Sequence, residues 1–427
     1  MQALRASIMH CLTDPGEEAD DSTWEYFDDG LLVIDGGHIV NAGDAAALLA
    51  DLPADLPVRD FSGKLLVPGF IDCHVHFPQL DIIGSYGAQL LDWLNQYAFP
   101  EEARFADPDH AREVARAFVD EMLANGTTTA LVFGTVHAHS ADAVFEAAEA
   151  KGMRLIAGKV LMDSNCPPEL RDDADTGYMD SKALIERWHG KGRLGYAITP
   201  RFALTSSSAQ LAAAGRLASE YPDVWVHTHL AENMDEVEEI ARLFPDSRSY
   251  LDVYEQHGLL RERAVFAHCL HMDAEDRRSM ATAGGAAAFC PTSNLFLGSG
   301  LFDLSSMREA GIRCGLGTDV GGGTSLSLLR TASEAYKVLH LQEHALPAAR
   351  ALYLATLGAA EALYLDDKIG NFAPGKEADF VVLDYEGTTL TKRRIAAAST
   401  IEEKLFALIT LADDRNIAAT YVNGERV

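Results

Sequence analysis

Eight short apolar runs, most of them separated by a stretch with helical patterning, constrain this chain more than any other feature. The runs are KLLVPGFIDCHVH (64–76), TTTALVFG (127–134), MRLIAGKVLM (153–162), RLGYAITP (193–200), DVWVHTHL (223–230), AVFAHCL (264–270), AAAFCP (286–291) and IRCGLGTD (312–319). A strand–helix rhythm of this kind builds a parallel sheet covered by helices, and eight strands suit its closure into a barrel. The helical half of the unit is legible in DPDHAREVARAFVDEMLANG, where Val114, Phe118 and Met122 share a face, Pro108 stands near the start and Gly126 near the end. The expected fold class is α/β, a (β/α)8 TIM barrel.

A barrel of about 250 residues leaves part of the chain over. The runs LLVIDGGHIV, EADFVVLD and AATYVNGERV lie near the two ends beside glycine-containing turns and read as strands. Residues 163–180 form the most irregular acidic stretch and are expected to be a loop able to cover the barrel mouth.

Charge and cysteine usage narrow the function classes. With 35 Lys plus Arg against 64 Asp plus Glu the net charge is −29, a field that repels polyanions and argues against a nucleic-acid partner. The six cysteines are scattered without a C-x-x-C pair, which argues against a disulfide framework and for a reducing compartment. The first residues turn acidic after a short mixed run and show neither a signal peptide nor a membrane anchor. A cytoplasmic location is expected.

His74 and His76 flank Val75 at a strand end, and the two-residue period of a strand points both imidazoles to one side. Barrel enzymes place their chemistry at the C-terminal ends of strands, where His229, His268 and Asp319 also fall. Three protein ligands and a water are typical of catalytic zinc. His227 precedes His229 by two positions and shares its direction, so spacing leaves open which of them ligates. His110, His189, His257 and His340 read as surface or structural histidines.

With VPGFIDCHVH, HTHLAEN, FAHC and GLGTD in this order, the sequence resembles the amidohydrolase superfamily over most of its length. The resemblance implies that His74, His76, His229 and Asp319 are metal ligands and that His268 sits beside the metal-bound water or the substrate. Relatives with two metals use a carboxylated lysine on strand four. RLGYAITPRF has none, so one ion per chain is expected, and Lys159, in the third run, is given no catalytic role. Histidine and carboxylate accept either zinc or iron; the resemblance implies zinc, and also a homodimer. It further supports a small β-sandwich domain made from both ends, 1–66 and 367–427, around a barrel of 67–366.

Glu232 follows His229 by three residues, within reach of a metal-bound water if the chain turns there. A plain structural reading makes it a helix-start acid, with DEVEEI following. In the deaminase branch of the superfamily H-x-x-E marks a proton-shuttling glutamate, and HLAE is similar to it. The same resemblance makes Asp319 a proton acceptor as well as a ligand.

Longer segments, namely HVHFPQ, LLDWLNQYAFPEEARF, NGTTTALVFGTVH, TPRF, CPTSN and GLGTDVGGG, are similar to the guanine deaminases within that branch. This implies zinc-dependent hydrolysis of guanine to xanthine and ammonia, with Glu232, His268 and Asp319 catalytic. Gln79, Arg201 and Phe202 would bind the purine next to His229 and His268. Their chemistry agrees: Arg donates two hydrogen bonds to an acceptor edge, Gln donates and accepts, and Phe supplies an apolar face. Trp93 and Phe99 are either pocket walls or core. Related substrates such as 8-oxoguanine, a pterin or a triazine share the metal core and differ only at the pocket. A catalytically silent barrel serving in assembly is opposed by the intact ligand set. The compact cytidine-deaminase type needs P-C-x-x-C, which is absent.

Overall fold

The computed structural model describes every residue except 54 and 88. The chain divides into two compact units, one of Met1–Asp72, Glu121–Thr129 and Ser327–Val427, the other of Cys73–Asp120 and Ala130–Leu326.

The first unit carries a seven-stranded sheet drawn from both chain ends. Its order is Glu425–Arg426, Ile417–Val422, Phe380–Asp384, Val58–Pro68, Gln2–Cys11, Trp24–Asp35, His38–Asp44. All neighbours run antiparallel except Gln2–Cys11 and Val58–Pro68, which are parallel. Alternate residues Leu4, Ala6 and Ile8 on one strand meet Leu32 and Ile34, Leu66, Phe380 and Val382, and Tyr421 in one buried cluster, as the two-residue period of a strand requires. Ala3, Leu31 and Val33 point the other way and pack with Ala45 in a second cluster. Each large side chain buried this way contributes about 1.5–3 kcal/mol.

The barrel strands are Phe70–His76, Thr127–Phe133, Arg154–Gly158, Leu194–Pro200, Trp225–Leu230, Ala264–His268, Ala286–Phe289 and Arg313–Leu316, hydrogen-bonded in that order. They are buried almost throughout, as parallel strands covered on both faces must be. Beyond the last strand the Asp319 N–H donates to the His74 carbonyl at 2.8 Å and the His76 N–H to the Val320 carbonyl at 2.9 Å. Those bonds join the eighth strand's exit to the first strand and bring Asp319 beside the histidine pair.

Three expectations are corrected. The run 64–76 is two strands: Val58–Pro68 belongs to the seven-stranded sheet, and Phe70–His76 begins the barrel. Pro68 has no N–H to continue a ladder, and a Cβ at Gly69 would stand 2.1 Å from Thr128 Oγ1, so the chain bends where only glycine fits. The third run breaks at Lys159 into Arg154–Gly158 and Val160–Leu161. The stretch 163–180 is only partly loop, because Asp173 accepts from the N–H groups of Asp175 and Thr176 and starts a helix over Ala174–Trp188. The helix read at 108–126 spans Pro108–Ala124 with Val114, Phe118 and Met122 buried. Among the described residues no helix is long and apolar enough to cross a membrane.

Candidate active site

The two-residue period of Phe70–His76 turns His74 and His76 to one side, and Trp225–Leu230 delivers His229 to the same place. One ligand atom from each of His74, His76, His229 and Asp319 lies within 4.8 Å of all the others. The Nε2 of His76 is 3.2 Å from the Nε2 of both His74 and His229, and Asp319 Oδ1 is 3.1 and 3.3 Å from the His74 and His76 Nε2 atoms.

These contacts identify the donor set as one that fits a metal ion. His229 Nδ1 bonds the Arg201 carbonyl at 2.6 Å, so its proton sits there and Nε2 presents a lone pair. Burial pushes His76 down to about 4 and holds His229 well below the ordinary histidine range, so the imidazoles are neutral, the form that ligates. Burial opposes ionisation of Asp319, but His74, with hydrogen bonds from His74 and His76, holds its carboxyl well below the usual carboxylate range.

His227, which spacing could not separate from His229, stands behind the cluster. Its Nε2 is 2.8 Å from His74 Nδ1. His268 Nδ1 accepts from Asn294 Nδ2 at 2.9 Å, which leaves the His268 proton on Nε2, 3.3 Å from Glu232 Oε2 and 3.8 Å from Asp319 Oδ2.

Glu232 enters the site because the chain turns sharply after its strand: Ala231 adopts φ +47°, a region costly for a residue with a Cβ. The following helix, Met234–Leu243, is fixed by a capping box between Asn233 and Glu236. Glu236 also accepts the Glu232 N–H at 3.0 Å and the Tyr250 hydroxyl at 2.6 Å. Burial first, and then the charges of Asp319 and Glu236, raise the Glu232 carboxyl well above its ordinary range, against a hydrogen bond from Ser299 Oγ at 3.0 Å.

Beside this cluster opens a pocket lined on the apolar side by Leu90, Trp93, Leu94, Phe202 and Leu297 and on the polar side by Gln79, Arg201 and Glu236. Trp93 is thus a wall; Phe99 lies under the Arg201 guanidinium, 5.2 Å from its carbon. Arg201 Nη1 donates to Glu102 Oε2 at 2.6 Å and Oε1 at 2.8 Å, and Gln79 Nε2 donates to the same Oε1 at 2.9 Å.

Sequence reasoning passed over Glu102, Ser299, Asn294 and Glu236. The only signal for Glu102 was its place in the segment 90–105. Lys159 is turned to a buried ion pair with Asp172, which Gln210 also bonds. His189 bonds Asp223 and His257 bonds the Val253 carbonyl, His340 stacks on Tyr336, and His110 lies beside Glu101.

Comparison with known proteins gives the chain's relatives. The chain is 51% identical to the guanine deaminase of Escherichia coli (strain K12) over 430 residues, covering 100% of this chain and 98% of that protein. It superposes on the structure of E. coli guanine deaminase with a TM-score of 0.98, covering 100% of this chain and 99% of the other. A guanine deaminase from C. acetobutylicum with guanine bound in its active site matches at 28% identity and a TM-score of 0.91, covering 100% and 99% of the two chains. Residues 65–427 match the family model described as the amidohydrolase family, and the chain belongs to that family.

Proposed function

We propose that this protein hydrolyses guanine to xanthine and ammonia, with one zinc ion per chain held by His74, His76, His229 and Asp319. The observation that carries the reading is the joining, in one pocket, of that donor set with Glu232 and with a wall formed by Gln79, Arg201 and Phe202. Full-length similarity to guanine deaminases at 51% identity supports the choice of substrate.

Zinc bound there would lower the pKa of its water toward about 7 and so supply hydroxide at neutral pH. The remaining work belongs to the chain. Arg201 donates to the acceptor edge of guanine, Gln79 bonds the same ring system, and Phe202 covers a face. Glu232 takes a proton from the attacking water and delivers it to N3, so that charge does not build on the ring as oxygen adds to C2. Asp319 accepts the remaining hydroxyl proton, and the His268 Nε2–H donates to the oxygen. That second proton passes from Asp319 to the amine, the C2–N bond breaks, ammonia leaves and the C2 carbonyl of xanthine forms.

The same reading takes residues 67–366 as the catalytic barrel and 1–66 with 367–427 as the small β domain. It takes the protein as a cytoplasmic homodimer in purine breakdown with no nucleic-acid or membrane partner, which the net charge of −29 supports. Light scattering tests the dimer. Turnover of guanine against 8-oxoguanine, a pterin and a triazine tests the substrate, and preference for any of the last three overturns guanine.

A further inference from the structure

Glu102 lies on the short helix Phe99–Ala103, far in sequence from Arg201, and is fully buried. Its carboxylate takes both hydrogen bonds from Arg201 Nη1 and a third from Gln79 Nε2. On its other side the Gln79 amide oxygen accepts the Gly321 N–H at 3.0 Å. These two partners admit only one orientation of the amide. Turned over, it would set its oxygen against a carboxylate and its NH2 against a backbone N–H, an acceptor facing an acceptor and a donor facing a donor. Gln79 is 2% exposed, so water cannot relieve either clash.

From this we infer that Glu102 is a specificity-determining positioning residue: it locks the Gln79 amide in one sense, and so fixes which hydrogen-bonding pattern the pocket presents to a heterocycle. Arg201 can only donate, and Glu102 holds that guanidinium in place by one nitrogen, leaving its other N–H groups to meet ligand. A ring edge bearing a carbonyl matches this pocket. An edge bearing an exocyclic amine at the same position meets donors with a donor. The inference rests on the guanine reading for the identity of the ring, but not for its test.

The test compares binding of hypoxanthine, which carries the 6-oxo group, and adenine, which carries a 6-amino group, by calorimetry on metal-loaded protein. Neither needs to turn over. The parent protein is expected to favour hypoxanthine. In Glu102→Gln the new NH2, placed at either oxygen's position, is set against Arg201 Nη1 or against both Arg201 Nη1 and Gln79 Nε2, a donor against a donor, so the two side chains lose their fixed alignment and the preference is expected to fall by about tenfold. Glu102→Asp keeps a carboxylate and is expected to recover most of it. A purely structural role would weaken both ligands by the same factor and leave the ratio unchanged. An unchanged ratio in Glu102→Gln, or no preference in the parent, overturns the inference. Failure of the guanine reading shows separately, as absence of guanine turnover in a parent protein that still discriminates the two ligands.

Discussion

His227 Nε2 lies 2.8 Å from His74 Nδ1, and this contact turns the other nitrogen of His74 toward His76 and Asp319. For His74 Nε2 to offer a lone pair to a metal, Nδ1 must carry the proton and His227 must accept it.

His227→Phe removes that acceptor while filling the space. Partners of this kind are typically worth 10–100-fold in metal affinity. A loss of about that size in chelator competition is expected, and an unchanged affinity would show that His74 is oriented by packing alone.

Glu232 is assigned to moving protons and not to holding metal. Glu232→Gln is therefore expected to lower kcat by about 10²–10⁴-fold while metal content, measured by elemental analysis, stays at the parent level. Loss of metal together with activity would move Glu232 into the ligand set.

Much of this was legible in the sequence, for reasons that can be named. The period of two in His74–Val75–His76 fixes a common direction whatever the rest of the fold does, and strand ends locate His229, His268 and Asp319. His227 shares the direction of His229 and differs only in depth along the strand, which no pattern of residue types encodes. Glu102 and Ser299 were illegible because their partners, Arg201 and Glu232, lie 99 and 67 residues away and a lone Glu or Ser carries no spacing signal. The break of the first run at Gly69 was hidden because one apolar run serves two sheets, and the clash with Thr128 that demands glycine is a tertiary fact.

The buried pair of Arg201 and Glu102 gives a stability prediction. Arg201→Met leaves a buried carboxylate without its cation, and breaking such a pair costs about 3–5 kcal/mol. Urea unfolding is expected to show a loss in that range, and Glu102→Gln added to Arg201→Met is expected to recover part of it. A double variant no more stable than Arg201→Met alone would contradict the pairing.

His10, in the strand Gln2–Cys11, predicts a pH dependence that involves none of the candidate metal ligands. Burial lowers it to about 4 from an ordinary value of 6.5. As pH falls below 6.5 the unfolded chain takes up this proton before the folded one does, so stability present above pH 6.5 is lost on the way down to pH 4. Between roughly pH 7.5 and pH 4.5 the loss from this one group is about 2–3 kcal/mol. His10→Leu is expected to lose that much less than the parent over the same interval, measured as the difference in urea midpoints. Parallel pH profiles for the two proteins would remove the effect.

The most direct test of the central claim is guanine turnover by metal-quantified protein, followed as ammonia release and as the change of guanine absorbance to that of xanthine, with Glu232→Gln alongside. The expected result is stoichiometric conversion in protein carrying one zinc per chain and a loss of at least about 100-fold in the variant. Metal-loaded protein that leaves guanine untouched, or a Glu232→Gln variant that turns it over at the parent rate, would contradict the account.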